Sequence, residues 1–259
     1  MPLKVYINTK GQLQDQSSSY VGAHTEGFWC SIAGNDFDGD GDIDLVAGNY
    51  GMNNQMKPSI DHPIKMYYGD YDNNGSIDPI LEYFILDASY PYASRDELTE
   101  QLPSFKKRFT NYKSYANAKM ADVLNADEIK KSNVLTAYTL QSCLFRNNAG
   151  KFSAEPLPME FQFAPVFSMV AMDVNGDGNL DLVAGGNLSA TRARTGKLTG
   201  NCGIVALNNG KGKFTVLKPS LSGLSLSGDV RSFIVADDIL MTGINNQNIK
   251  TYRLRSEQE

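Results

Sequence analysis

The stretch NDFDGDGDIDLVAG, residues 35–48, sets five aspartates at alternate positions and then turns apolar. Carboxylates at such short separations repel one another by roughly 1 to 4 kcal/mol per pair at solvent-like to surface-like dielectric. Asp and Gly favour turns, and the run LVAG has the apolar, β-branched character of a buried strand. The stretch therefore predicts a tight loop that needs a compensating positive charge and that leads directly into a β-sheet.

The same frame, D-x-(D/N)-x-(D/N)-G-x-x-D, recurs along the chain. It appears in YYGDYDNNGSIDPILEY (67–83) and in VAMDVNGDGNLDLVAGGN (170–187). A fourth stretch, FIVADDILMTGINNQNIKTYRL (233–254), keeps the flanking strand pattern with Asp237 and Asp238 but lacks the loop. Self-similarity of this kind is the signature of a repeat architecture, with the fourth stretch as a degenerate copy.

A second recurring unit lies between these copies and predicts β-hairpins. It occurs in KVYINTKGQL (4–13), CLFRNNAGKF (143–152) and IVALNNGKGKF (204–214), each a short strand, an Asn, a Gly-containing turn and a new strand start. Short strands and frequent turns predict an all-β fold, either a β-propeller or part of one.

Residues 93–131 are the exception, because they carry helix signals. SRDE (94–97) matches a capping box, and Phe105, Phe109, Tyr112 and Ala116 fall on one face of a predicted helix. We therefore expect one domain over residues 1–259, with 93–131 as a short α-helical insertion within it.

The spacing of the three intact copies, called loop one (36–44), loop two (70–78) and loop three (173–181), is irregular. Loops two and three start 103 residues apart, and without the 39-residue helical stretch this becomes 64, the distance from loop three to Asp237. The 34 residues between the starts of loops one and two fit no common period with these.

The loops offer only oxygen ligands, which predicts a hard cation. Calcium accepts about 6 to 8 oxygens, whereas magnesium keeps its waters and zinc prefers His or Cys. We expect two to three structural Ca²⁺ sites, with side chains at positions 1, 3, 5 and 9 and the backbone carbonyl at position 7. The predicted ligands are Asp36, Asp38, Asp40, Asp42 and Asp44 in loop one, Asp70, Asp72, Asn74, Ser76 and Asp78 in loop two, and Asp173, Asn175, Asp177, Asn179 and Asp181 in loop three.

An EF-hand is the obvious alternative, and position 12 argues against it. An EF-hand needs a bidentate Glu there and helices on both sides of the loop. The residues at position 12 are Ala47, Leu81 and Ala184, and each lies in a predicted strand.

The loops resemble the calcium-binding repeats of the FG-GAP/VCBS family, which build β-propellers such as the head of integrin α chains. The segments TEGFW (25–29), AGNYGMNN (47–54), YPYASRDEL (90–98) and GNLSATRARTGKLTGNCG (186–203) are similar to bacterial exported proteins that combine these repeats with an ASPIC/UnbV-type region. The resemblance implies a propeller fold, structural ions and an extracellular, cell-surface or periplasmic setting.

Composition narrows the class of protein. No apolar run approaches the ~18 residues of a membrane span, and MPLKVYINTKGQ (1–12) lacks the apolar core of a secretory signal. The net charge is −5, but the three loops hold 11 of the 29 acidic residues, so the remainder of the chain is net basic. A nucleic-acid partner is not expected, because Lys106, Lys107 and Arg108 share a predicted helix with core aromatics.

Two classes of function fit these features. The first is a non-catalytic binding or adhesion module for a protein or carbohydrate ligand, with TRARTGK (191–197) among the candidate contacts. The second is a calcium-dependent polysaccharide lyase or hydrolase. The sequence favours the first, since the chain has only two histidines and no recognisable nucleophile motif.

The two ends of the sequence bear on how a propeller ring would close. KVYIN and IKTYRL resemble the same strand of successive repeats. We therefore also expect the remainder of a larger parent chain as a partner, unless the ring closes in an unusual way.

Overall fold

The computed structural model describes residues 1–253, and these residues form five antiparallel sheets. The strands are β1 (Tyr6–Thr9), β2 (Gln12–Asp15), β3 (Ser31–Asn35), β4 (Asp44–Gly48), β5 (Ile64–Gly69), β6 (Asp78–Ile85), β7 (Ala88–Pro91), β8 (Asn133–Ala137), β9 (Cys143–Asn148), β10 (Lys151–Pro156), β11 (Val166–Met172), β12 (Asp181–Gly186), β13 (Ile204–Asn208), β14 (Phe214–Val216), β15 (Val230–Ala236), β16 (Ile239–Ile244) and β17 (Lys250–Arg253). The predominance of strands confirms the all-β prediction, and strand pairing within the described residues closes no barrel.

The helices are few and short. They are α1 (Ser17–Tyr20), α2 (Arg95–Gln101), α3 (Tyr112–Tyr115), α4 (Met120–Val123), α5 (Ala126–Lys131) and α6 (Pro219–Ser222), with 3-10 turns at Pro103–Lys106 and Met159–Gln162. Within residues 1–253 none of them is long and apolar enough to cross a membrane.

The chain divides into two compact units. The inserted unit comprises Met1–Pro2, His24–Glu26 and Met56–Thr139, and the major unit comprises Leu3–Ala23, Gly27–Gln55 and Leu140–Glu259. This differs from the expected single domain with an insertion limited to residues 93–131. Loop two falls in the inserted unit, which accounts for its irregular spacing.

The major unit repeats one sheet topology. Its first sheet runs β3-β4-β9-β10, so β4 pairs directly with β9 although the inserted unit separates them in the chain. The second sheet runs β11-β12-β13-β14 and the third β15-β16-β17, again with each strand beside its sequence neighbour. The three predicted hairpins are confirmed as β1–β2, β9–β10 and β13–β14. Of the degenerate copy, Leu254 lies outside the described residues.

The second sheet is the central layer of the major unit's core. Every residue of β12 is buried, and its side chains alternate between two apolar clusters. Leu182 and Ala184 pack in a cluster shared with the first sheet, whereas Val183 packs in a cluster shared with the third. This alternation follows from the two-residue period of a strand, and it explains why LVAG carries no polar residue.

The first strands of the three sheets lie side by side, with β11 between β3 and β15. The Ser31 hydroxyl in β3 donates to the Val166 carbonyl oxygen in β11 (2.8 Å). On the other side of β11, the Phe233 amide of β15 donates to the Ser168 hydroxyl (2.9 Å). These polar contacts connect sheets that otherwise meet through side-chain packing.

A glycine followed by a buried asparagine ends the second strand of the first and second sheets. A Cβ on Gly48 would lie 2.3 Å from the Val166 carbonyl oxygen, so the backbones approach too closely for any other residue. The next residue, Asn49, accepts a hydrogen bond from the Val166 amide (3.0 Å). That bond uses the backbone carbonyl of Asn49. In the corresponding position of the second sheet, the side-chain amide of Asn187 donates to the Gly228 carbonyl oxygen (3.0 Å). The repeated GN pair thus fixes the start of the following sheet.

The inserted unit contains a sheet of order β8-β5-β6-β7, in which β8 returns to pair beside β5. This 4-1-2-3 order is that of a Greek key, and it differs from the sheets of the major unit. Buried Tyr67 and Ile80 on this sheet pack against apolar side chains of the helical stretch.

The helical stretch is divided into shorter helices than its sequence predicts. The predicted capping box at the start of α2 is confirmed. The Ser94 hydroxyl accepts a hydrogen bond from the Glu97 amide, and the Glu97 carboxylate accepts one from the Ser94 amide. The prediction of one helix through Phe105 and Tyr112 is wrong, because Asn111 caps a new helix, α3. Phe105 and Phe109 are nevertheless buried, as an apolar face requires.

We predict that Gly48→Ala lowers the free energy of unfolding by at least about 2 kcal/mol. The added methyl group would sit 2.4 Å from the Ser31 hydroxyl, within the hydrogen bond that joins β3 to β11. Gly22→Ala is the control, because Gly22 is exposed and a Cβ there meets nothing within 4 Å. Urea denaturation of both variants measures the difference, and equal stabilities would show that the sheets do not need this close approach.

Candidate metal-binding loops

Loop one connects β3 to β4, and its side chains bind its own backbone. The Asp36 carboxylate accepts hydrogen bonds from the amides of Gly39 (2.8 Å) and Gly41 (3.0 Å). The Asp40 carboxylate accepts from the Asp42 amide (2.8 Å). These bonds wrap the backbone around the first carboxylate, with positions 4 and 6 as amide donors.

Loop three connects β11 to β12 and repeats this frame. Asp173 accepts from the amides of Gly176 (2.7 Å) and Gly178 (2.9 Å). Further along the loop, Asp177 accepts from the Asn179 amide (2.8 Å). The two loops of the major unit therefore share one conformation at positions 1 to 7.

Loop two connects β5 to β6 in the inserted unit and follows a variant of the frame, in which the amides of positions 5 and 6 donate to the first carboxylate. Asp70 accepts from the Gly75 amide (2.9 Å) and from the Asn74 amide (3.1 Å). The Asn74 side chain accepts from the Ser76 amide (2.7 Å). The frame therefore survives the change of sheet topology, so the loop sequence itself determines it.

Left-handed backbone is required at two positions of each loop. The glycine at position 6, which the sequence singles out, has φ of +91° at Gly41 and +86° at Gly178. Position 4 is also left-handed, at +77° for Gly39 and Gly176 and +60° for Asn73. Sequence reasoning missed this second requirement, although Gly or Asn stands at position 4 in all three loops.

The ninth residue of loop one is the buried end of the frame. Asp44 is fully buried, and its two carboxylate oxygens accept from the amides of Asn147 (2.7 Å) and Phe37 (3.2 Å). Burial raises the pKa of Asp44, and these two amide donors oppose that effect. Asp44 therefore ties loop one to the third strand of its sheet, and each oxygen keeps a further lone pair for a cation.

Loops three and two end in the same way. Asp181 is fully buried and accepts from the amides of Asn208 (2.8 Å) and Val174 (3.0 Å), and burial raises its pKa as well. In loop two the nearly buried Asp78 accepts from the Tyr71 amide (3.1 Å). The ninth aspartate is thus a structural anchor in addition to a predicted ligand.

Carboxylate oxygens converge in two of the loops. One oxygen from each of Asp36, Asp38 and Asp40 lies within 4.8 Å of the others, and the same holds for Asp70, Asp72 and Asp78. Loop three forms no such group of three among the described residues, and position 3 there is an amide, Asn175. Its predicted ligands nevertheless share one short loop, where the Asn175 side chain donates to Asp177 (3.0 Å).

Asp38 has an oxygen that the protein leaves without a partner. Its Oδ1 is buried and has no hydrogen-bond partner, while Oδ2 receives a hydrogen bond from Arg146. A buried unpaired carboxylate oxygen costs about 1–3 kcal/mol or more, and a cation at this point would remove that cost. The oxygen-only donor set and this oxygen together fit a hard divalent ion.

Arg146 in β9 is a contributor that sequence reasoning did not identify. Besides Asp38, it contacts Glu155 in β10 (3.1 Å) and the Lys211 carbonyl oxygen in the neighbouring sheet's hairpin turn (3.3 Å). Hydrogen bonding to Glu155 is the main reason that the pKa of Arg146 is raised. A single side chain thus connects loop one with two sheets.

The degenerate copy has lost the loop, as its sequence indicates. Residues 237 and 238 form the turn between β15 and β16, with Asp237 in the left-handed region (φ +53°). Asp238 forms an ion pair with Arg253 (3.1 Å). A short hairpin turn therefore stands where loops one and three have nine residues.

Comparison with protein-family models gives no match, and comparisons with curated proteins and with solved structures give none either. The resemblance to FG-GAP/VCBS repeats therefore rests on the loop frame and the quoted segments alone.

Two homologous asparagines allow a matched test of how the loops are held. The buried Asn208 side chain donates to the carbonyl oxygens of Leu180 (3.1 Å) and Phe37 (2.8 Å), and so joins the second sheet to loop one. Asn147, its half-buried counterpart, donates to the Ile43 carbonyl oxygen (3.1 Å) and accepts from the Gly150 amide (2.8 Å), both in the first sheet and its turns.

We predict that Asn208→Ala lowers the free energy of unfolding by about 2–3 kcal/mol and Asn147→Ala by about 1 kcal/mol or less. The difference arises because the two bonds of Asn208 are more deeply buried than those of Asn147. Without Asn208, the Leu180 carbonyl oxygen loses a donor, while the Phe37 carbonyl oxygen keeps the Gly212 amide as its second donor. Without Asn147, the groups that lose a partner are the Ile43 carbonyl and the Gly150 amide, both nearer to solvent. Guanidinium denaturation of the two variants measures it. An equal loss in both would contradict the role of Asn208 in joining sheets.

Proposed function

We propose that the three loops bind Ca²⁺ as structural ions and that the chain is a non-catalytic binding or adhesion module. The observation that carries the proposal is the shared hydrogen-bond frame, which turns each loop around its first carboxylate. In loops one and two this frame brings three carboxylate oxygens within 4.8 Å of one another. Mutual repulsion opposes that arrangement, and a bound divalent cation makes it favourable.

Calcium fits the donor set better than other common ions. Carboxylate, amide and carbonyl oxygens at alternate positions suit a large, flexible oxygen shell, and the glycine at position 6 of every loop allows the sharp turn around it. Zinc would need nitrogen or sulfur ligands, and residues 36–44 contain neither His nor Cys. Magnesium requires stricter octahedral geometry and retains its waters.

A propeller segment is the architecture that we propose for the major unit. Its support is the repeated antiparallel meander and the contact of each first strand with the next, which places β11 between β3 and β15. In a propeller the first strand of each blade lies at the centre in this way. The FG-GAP/VCBS resemblance supports the same architecture, and with it an exported bacterial protein acting outside the cytoplasm.

The binding role is supported by where charge and loops occur outside the ion sites. Residues 192–194 and 196–197 are exposed in a turn closed by the Leu188–Leu198 bridge, and they include Arg192 and Arg194. Such a basic turn suits a protein or carbohydrate ligand that carries acidic groups. The strong acidic clusters are engaged in the loop frame, which leaves them unsuited to acid–base catalysis.

We predict that chelation destabilises the protein and that calcium restores its stability. With ion affinities of about 0.1–1 mM and about 1 mM free calcium, each site contributes roughly 0.4–1.4 kcal/mol. Differential scanning fluorimetry in EGTA, with and without excess CaCl₂, measures the change in melting temperature. An excess of MgCl₂ is the control, and it should restore much less. A melting temperature that is the same with and without calcium would contradict the assignment of the loops as calcium sites.

We also predict that Asp40→Asn removes one calcium ion per chain. Asp40 belongs to the converging group of loop one, and its loss lowers the negative charge that attracts the ion. Asp87→Asn is the control, because the Asp87 side chain is 98% exposed and lies outside the loops. Calcium content after equilibrium dialysis, measured by plasma mass spectrometry, should fall by one in the first variant only. Equal contents in both would exclude loop one as a site.

A further inference from the structure

A cleft opens between the outer strands of the first and second sheets of the major unit. It has a volume of about 560 Å³ and lies between β9–β10 on one side and the β13–β14 turn on the other. The two sheets contact each other at their first strands, β3 and β11, whereas the cleft lies at their outer strands. This volume falls within the range of small-molecule sites, about 300–1,000 Å³.

The floor of the cleft is apolar. Leu144, Leu157 and Phe214 line it, and all three are buried members of the core cluster between the two sheets. Pro156 and Pro158 form part of one wall. An apolar ring or chain in the cleft would therefore extend the core and lose contact with water.

The rim of the cleft is positively charged. Three cationic side chains, Arg146, Lys211 and Lys213, line it together with one carboxylate, Glu155. Asp38 and Glu155 both pair with Arg146 and balance its charge, so the net positive charge of the rim comes from the two lysines. The two lysines are exposed, and no ion pair engages either amine among the described residues.

The turn that carries the two lysines is held in place by its own hydrogen bonds. The Asn209 side chain accepts from the amides of Lys211 (3.0 Å) and Lys213 (3.3 Å). Between them, the Gly212 amide donates to the Phe37 carbonyl oxygen (2.9 Å). A fixed turn reduces the entropy that ligand binding must overcome.

We infer that this cleft binds a small amphipathic anion, with its apolar body on the floor and its carboxylate or sulfonate at Lys211 and Lys213. A neutral apolar ligand would leave both amines uncompensated, and a cation would be repelled by the two lysines. The cleft borders loop one through Arg146, which binds Asp38, and it supplies a ligand chemistry that the proposed binding role does not specify.

Isothermal titration calorimetry of the full chain in calcium buffer tests the site with 2-naphthoate as the probe. Its 13 non-hydrogen atoms predict a Kd of about 1 mM or tighter. The neutral analogue 2-naphthylmethanol should bind at least about tenfold more weakly, because it lacks the charge. Equal affinity for the two compounds would overturn the inference.

Two variants locate the binding. Lys211→Gln/Lys213→Gln should weaken naphthoate at least about tenfold, whereas the control Lys151→Gln/Lys218→Gln, exposed and outside the cleft, should leave it unchanged. Pro156→Trp should abolish binding by filling the cleft from an exposed strand end. Melting temperatures identify any variant that fails to fold. Unchanged affinity in a folded cleft variant, or equal weakening in the control, would overturn the inference.

Discussion

The structure depends on how a short acidic loop is fixed between two strands. Its first carboxylate gathers amides from within the loop, and its ninth carboxylate is buried beneath it. In loops one and three that ninth residue, Asp44 or Asp181, also accepts an amide from the third strand of the same sheet. Backbone amides compensate the buried end of the loop, while Asp36, Asp38 and Asp40 remain crowded together at the other end. The proposal of a cation rests on this arrangement, because three carboxylates converge there and one buried oxygen of Asp38 has no hydrogen-bond partner.

Packing between sheets uses a second set of interactions, centred on glycine and asparagine. At Gly48 the backbone of the first sheet approaches the second too closely for a side chain. The buried Asn208 spans from the second sheet to Phe37 in loop one, and Arg146 reaches from the first sheet to the turn of the second. Loop one therefore takes part in the contact between sheets, and an ion held there would stabilise that contact as well as the turn.

Structural features could be predicted from the sequence where the residues that determine them are close together in the chain. Aspartates at alternate positions with a glycine at position 6 specify the loop frame within nine residues, and the hairpins and the capping box at Ser94 are similarly short-range. The extent of the insertion could not be read, because it depends on β4 pairing with β9 across the whole of Met56–Thr139. Arg146 was missed for the same reason, since its partner Asp38 lies 108 residues away. The broken helix around Phe105 shows that an apolar face can be buried without continuous helical backbone.

The central claim is that the crowded carboxylates enclose calcium, and crystals grown in CaCl₂ test it most directly. An anomalous difference map should show one peak in each of the loops 36–44, 70–78 and 173–181, with oxygen ligands at about 2.3–2.6 Å. The turn at Asp237, which has lost the loop, serves as an internal negative control and should show no peak. Ordered loops with water at their centres and no anomalous signal at millimolar calcium would contradict the account.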